Sequence, residues 1–264
     1  MTASIRAFAD NTADPKVHGF LHLPDTPNGN ALVLTHGAGS NAQAPLLVAL
    51  AETFSAAGFT VLRCDLAYRQ IRSFGPPGPG DAARDRAGLK NAVAAIQKVM
   101  GAPLLASFAK SGNSMENEGG PPGACPERSR RAALVGRQAK IFLGGHSYGG
   151  RQASILCAEL SDKDPTLVAA LLLLSYPLHP PRRPEQQRTQ HLPDLRTPAL
   201  FVHGTRDPFG SIAEIEQALK MIPARTKLLM VEGAGHDLGF KGKAKDEALA
   251  GLVLREFQTF AGGI

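Results

Sequence analysis

Apolar positions along the chain fall into two alternating patterns. Short, almost unbroken apolar runs occupy 31–35, 59–62, 140–143, 167–175, 199–203 and 227–231. Runs of this length, bounded by turn residues, read as strands buried on both faces. Elsewhere apolar residues recur at three- and four-residue steps, over 45–57, 81–100, 151–160, 212–222 and 245–260. In 81–100 the repeat is Leu89, Val93, Ile96 and Met100, one face of a helix. Strands alternating with helices predict an α/β fold, a mostly parallel central sheet with helices on both faces. Val17–Leu23 alternates more loosely and reads as an antiparallel edge strand. No internal repeat or second domain is visible, so 1–264 reads as a single domain. One stretch breaks the pattern. Residues 111–131 carry almost no large apolar side chain and read as a flexible surface insertion at the N-terminal edge of the sheet.

Composition narrows the function classes. With 43% apolar and 20% charged residues the chain is an ordinary globular one. Its longest strongly apolar run, 167–174, is far too short to span a bilayer. Residues 1–15 lack the apolar core of a secretion signal, so a cytoplasmic location is expected, with no membrane partner. The net charge is +6, but the basic residues are dispersed, there is no Trp and there are three Tyr. A nucleic-acid binder shows a denser basic stripe and stacking aromatics, so no nucleic-acid partner is expected. Three widely separated cysteines, Cys64, Cys125 and Cys157, suit neither a disulfide framework nor a zinc cluster. No His/Asp/Glu grouping has metal-ligand spacing, so no metal and no cofactor are expected.

The candidate chemistry lies at the ends of the predicted strands. Gly145-His146-Ser147-Tyr148-Gly149 has the Gly-x-Ser-x-Gly form, directly after one strand and before a helix. A tight turn there lifts a serine above the sheet, with glycines where side chains would clash. A serine hydroxyl needs a general base, and the base needs a carboxylate to orient it. Asp207 follows the strand at 199–203 and His236 follows that at 227–231, in the order nucleophile, acid, base. Asp65 also ends a strand and is the weaker choice of acid, while Asp237 adjoins His236 and should point elsewhere. His36-Gly37-Ala38-Gly39 follows the first strand of the parallel set, and its small residues suit an oxyanion hole. The N–H of Ala38 and that of Tyr148 are the expected donors. His146 and His203 read as structural or substrate-lining, and Cys64 and Cys157 as small buried hydrophobes.

The segments HGAGSN (36–41), GGHSYGGR (144–151), LSYPLHPP (174–181), FVHGTRDPFG (201–210) and GAGHDL (233–238) together resemble the alpha/beta hydrolases. More narrowly they resemble a small, capless, dienelactone-hydrolase-like branch. Its animal relatives include a testis-expressed protein and a subunit of the non-specific-lethal histone acetyltransferase complex. Many relatives carry Lys and Met around the serine, where this chain has His146 and Tyr148. The resemblance implies a serine hydrolase acting on a small ester or related acyl bond through Ser147, His236 and Asp207. A thioesterase, a dienelactone hydrolase, a peptidase or a non-catalytic scaffold are the alternatives. Cap domains of this fold sit between the strands at 167–175 and 199–203, where this chain has only about twenty Pro- and Arg-rich residues. No cap domain is expected, and the substrate should be small and soluble. Arg69 and Arg72 in one strand-end loop, with His179, Arg182 and Arg183 in another, should border the mouth; the arginines read first as solvated surface charge and alternatively as groups that attract a substrate carboxylate.

Overall fold

The computed structural model describes residues 4–111, 139–240 and 247–264. The polar stretch expected as an insertion lies, beyond Ser111, outside the described residues, as does Cys125. In chain order the elements are β1 (Ser4–Asp10), β2 (Val17–Leu23), β3 (Ala31–Thr35), α1 (Pro45–Ala56), β4 (Thr60–Cys64), α2 (Ala67–Ile71) and α3 (Asp81–Ser111). Then follow β5 (Ile141–His146), α4 (Tyr148–Leu160), β6 (Ala170–Leu174), β7 (Ala199–Gly204), α5 (Ile212–Leu219), β8 (Thr226–Val231) and α6 (Glu247–Gly262). The strands form one eight-stranded sheet in the order β1-β2-β4-β3-β5-β6-β7-β8. β1 with β2 and β2 with β4 pair antiparallel, and every other pair is parallel.

Side chains alternate across the sheet with a period of two, and each strand therefore feeds two cores. Val33, Leu143, Leu171, Leu173 and Phe201 meet Leu89, Val93 and Ile96 of α3, Leu156 of α4 and Ile215 of α5. Leu32, Leu34, Phe142, Leu172 and Val202 meet Leu47, Leu50 and Phe54 of α1 and Val253 and Phe257 of α6. The sequence pattern follows from this, because strands covered on both faces need no polar alternation. The segment after β3 runs to α1 on one face and the segment after β5 runs to α4 on the other. That divergence opens a crevice at the C-terminal ends of β3 and β5, the place where ligands bind in open α/β sheets. Between β6 and β7 the chain forms only the short 3-10 turn Leu192–Asp194, so no cap domain covers this edge.

Two elements differ from the sequence reading. Val17–Leu23 is antiparallel as expected, but it is not the edge: β1 pairs along its whole length and takes that place. β1 is exposed over most of its length, so its residues carry little hydrophobic pattern. Arg69 and Arg72 do not share a plain loop, since Ala67–Ile71 is a short helix with Arg72 as its C-cap. Among the described residues no helix is long and apolar enough to cross a membrane.

Phe142 is buried between Phe59 and Phe257, whose ring centroids lie 6.1 and 5.1 Å away. Phe142→Ala should lower unfolding stability by about 3–5 kcal/mol in urea titrations. Phe74→Ala, at a side chain 85% exposed, should change it by less than about 0.5 kcal/mol. Similar losses for both would contradict the placement of the core.

Candidate active site

The turn from β5 into α4 is built around Ser147, whose φ of 52° lies in the left-handed region. A non-glycine residue holds such a backbone only when its surroundings enforce it. Here the enforcement is close packing. A Cβ on Gly145 would sit 2.6 Å from the Gly150 nitrogen, and one on Gly149 would collide with the His36 carbonyl oxygen. The Ser147 N–H donates to the Leu174 carbonyl at 2.8 Å, which ties the turn to β6.

Three side chains expected to act together do meet. His236 Nδ1–H donates to Asp207 Oδ2 at 2.8 Å and lies 3.0 Å from Oδ1. Its other nitrogen, Nε2, accepts from the Ser147 hydroxyl at 2.7 Å. A carboxylate accepting at Nδ1 fixes the tautomer whose Nε2 carries the free lone pair. Asp207 is buried and is itself held by the Phe209 N–H at 2.9 Å. Asp65, the weaker choice of acid, instead accepts from the Ala42 N–H at 2.7 Å and stands away from His236. Asp237 turns back to the Gly239 N–H.

Around this line the structure adds contacts that the sequence did not reveal. Phe209 lies against the His236 ring, centroids 4.1 Å apart and planes tilted by 32°. His146 Nε2–H donates to the His236 carbonyl at 2.7 Å, joining the serine turn to the histidine loop across ninety positions. Burial pushes the His146 imidazole down to about 4, so it remains the neutral donor this bond requires. His203 Nε2–H donates to the Gly210 carbonyl at 2.8 Å behind Asp207, and burial lowers its pKa too.

The loop after β3 is equally fixed. His36 Nδ1–H donates to the Gly37 carbonyl at 2.9 Å, and His36 Nε2 accepts from the Leu66 N–H at 3.1 Å. With the Gly37 carbonyl turned inward, planarity of a trans peptide directs the Ala38 N–H the opposite way. The Ala38 carbonyl is held by the Tyr68 hydroxyl at 2.7 Å and by Arg69 at 3.2 Å. Among the described residues neither the Ala38 N–H nor the Tyr148 N–H has a hydrogen-bond partner. For Tyr148 this follows from its place in the first turn of α4, where amides have no intrahelical acceptor.

Of the arginines expected around the mouth, Arg69 is committed to the backbone. Arg69 is buried, and its guanidinium donates to the carbonyls of Ser40, Ala38, Gly75 and Arg72. It supports the loop from behind, because four carbonyls converge where a substrate carboxylate was expected. Arg72 pairs with Asp81 and lies 5.8 Å from the Tyr68 ring centroid. His179 is buried, with Nδ1–H donating to the Pro180 carbonyl at 2.8 Å and Nε2 3.5 Å from Glu214. Arg182 and Arg183 are exposed, Arg182 with a φ of 62°. Burial pushes the Cys64 and Cys157 thiols up to about 12, so neither supplies a thiolate near neutrality.

A second serine–histidine contact occurs away from this line. His191 Nε2–H donates to Ser154 Oγ at 2.8 Å, but that hydroxyl is fully buried and itself donates to the Arg151 carbonyl at 2.9 Å. With its proton committed to a helix carbonyl and, among the described residues, no carboxylate bonded to His191, Ser154 is a structural hydroxyl.

Comparison with known proteins agrees with this fold. A family model described as the alpha/beta hydrolase domain matches residues 125–259, just over half of the chain and the part that holds Ser147, Asp207 and His236. The chain belongs to that family. Among solved structures it is similar to a dienelactone hydrolase from Anabaena variabilis, at 20% identity and a TM-score of 0.65, covering 98% of this chain and 99% of that one. It is also similar to an α/β serine hydrolase without lid from Xanthomonas campestris, at 13% identity and a TM-score of 0.59, covering 97% and 95%. Est1E from Butyrivibrio proteoclasticus aligns at 16% identity and a TM-score of 0.57 over all of both chains. At these identities the likeness is one of fold. Among curated proteins, 48 residues are 48% identical to the polyketide synthase ThaQ of Burkholderia thailandensis, 18% of this chain and only 2% of that synthase.

Burial of histidines gives the fold a pH signature. His22, His146 and His191 are all pushed down to about 4 by burial, against an ordinary value of 6.5. Between those values the unfolded chain binds protons that the folded chain refuses, so stability falls as pH falls. Urea midpoints should therefore drop steadily from pH 7 to pH 4.5. A midpoint constant over that interval would contradict the neutral, buried state of these rings.

Proposed function

We propose that this chain is a serine hydrolase that cleaves a small ester or related acyl bond. The observation that supports the reading is the unbroken hydrogen-bonded line from Asp207 after β7, through His236 after β8, to Ser147 at the end of β5. Ser147 Oγ attacks the substrate carbonyl carbon while His236 Nε2 takes the hydroxyl proton. The oxyanion that forms is met by the Ala38 and Tyr148 N–H groups. As the tetrahedral intermediate collapses, the bond to the leaving group breaks and His236 passes its proton to that group. Water then attacks the acyl-enzyme, losing its proton to His236, and the acid departs as Ser147 regains a proton. Asp207 stays ionised throughout and stabilises the imidazolium. No step needs a metal or an organic cofactor.

With no cap domain between β6 and β7, a small and soluble acyl substrate fits better than a long lipid. Esters come first, since an alcohol is the easier leaving group and an ester carbonyl the more electrophilic one; thioesters and dienelactones require the same steps. A scaffold role would not call for the free amides of Ala38 and Tyr148 beside an oriented hydroxyl.

Steady-state kinetics on short nitrophenyl esters, alkyl thioesters and peptide amides test this. Ser147→Ala should abolish turnover with a melting temperature close to that of the parent. Asp207→Asn should lower kcat by about 10⁴-fold, because an amide does not hold the productive tautomer. Parental activity in either variant would overturn the assignment. Folded protein inert toward all three classes would favour the scaffold.

A further inference from the structure

Asp85 is a carboxyl group in the second turn of α3, fully buried, and among the described residues it forms no ion pair. Burying a carboxylate without a cation is costly, by several kcal/mol for an unpaired ion, so its partners matter. It has two, from different elements. The Tyr148 hydroxyl donates to Oδ2 at 2.8 Å, and the Tyr68 N–H donates to Oδ1 at 2.9 Å. Burial raises its pKa and these two donors pull it back.

Each partner leads to one side of the reacting centre. Tyr148 follows Ser147, and its own N–H is one of the two free amides. Tyr68 reaches in the other direction, with its hydroxyl on the Ala38 carbonyl at 2.7 Å. The two phenol rings meet edge to face, centroids 6.1 Å apart, which closes the circuit. The Ala38 and Tyr148 amides thus belong to segments with no direct covalent link, and Asp85 is the group bonded to both supports. A hydroxyl or amide here would not serve as well. Only a carboxylate has two oxygens that both act purely as acceptors, and both incoming groups are donors.

We infer that Asp85 is a positioning residue that sets the separation of the two oxyanion-binding amides by bridging Tyr148 on α4 to Tyr68 behind the loop after β3. The inference rests on the hydrolase reading above. It makes Asp85 act through Tyr148 and Tyr68, without touching substrate. Its simpler rival is a purely structural one, in which Asp85 only caps the N-terminus of α2 and stabilises the fold.

The two differ in what they do to transition-state binding. The experiment compares Tyr148→Phe, Asp85→Ala and the double variant with the parent. It measures kcat and KM on a short ester, the Ki of a trifluoromethyl ketone that forms an oxyanion on Ser147, and the melting temperature. Loss of a whole oxyanion donor lowers kcat by about 10²–10³-fold, so a displaced donor should lower it by about 10–100-fold. KM should stay within about two-fold, and the ketone's Ki should rise by the same factor as kcat falls. The double variant should be no worse than the worse single one, because both remove one bridge. If Asp85→Ala does not fold, Tyr148→Phe alone carries the test, since it deletes one hydroxyl and keeps the backbone amide. A folded Tyr148→Phe with parental kcat and Ki, whatever its melting temperature, would overturn the inference while leaving the hydrolase reading intact. Parental turnover in Ser147→Ala would remove both.

Discussion

A serine at a φ of 52° is strained by about 1–3 kcal/mol, and it stays there because β5, α4 and the loop after β3 approach one another too closely for any other path. Gly145 and Gly149 make that approach possible, since a side chain on either would fall on neighbouring backbone. The same approach brings Gly37 against His146 and Ser147, and the His36 carbonyl against Gly149.

A second ordering principle is the fixed protonation of histidines. His36, His146 and His203 each donate one N–H to a backbone carbonyl, and burial keeps all three neutral. His146 ties the serine turn to the loop after β8, His36 also ties the loop after β3 to that after β4, and His203 braces the loop after its own strand. His236 differs in that its partners are side chains, a carboxylate on one nitrogen and a hydroxyl on the other. Only at that ring does a proton have somewhere to go. The contrast separates the chemically competent imidazole from its structural neighbours better than sequence position does.

The mostly parallel sheet and the placing of Ser147, Asp207 and His236 at strand ends were legible because each depends on local pattern. An apolar run ends, and a polar residue stands where the strand emerges from the core. What escaped depends on distant partners. β1 is half-exposed and shows no run, and five residues are too few for α2 to display a helical period. Arg69 looked like a surface charge because the carbonyls of Ala38 and Ser40 that bury it come from about thirty positions upstream. Asp85 did leave a trace. It stands four residues before Leu89 and eleven before Ile96, on the stripe that faces the core, where a carboxyl needs buried donors. The contacts of His146 and Phe209 with His236 have no comparable signal, since nothing near either residue announces a partner across the fold.

The central claim is that Ser147, and not the neighbouring Ser154, carries the nucleophilic hydroxyl. Trypsin cuts after Lys140 and Arg151, so these two serines fall on separate peptides. The direct measurement is mass spectrometry of the tryptic digest after treating native protein with a fluorophosphonate. The phosphonyl mass should appear on the 141–151 peptide, stoichiometrically, and vanish when the protein is unfolded in urea before treatment. A native protein that remains unlabelled, or carries the adduct on the peptide with Ser154, would contradict the account.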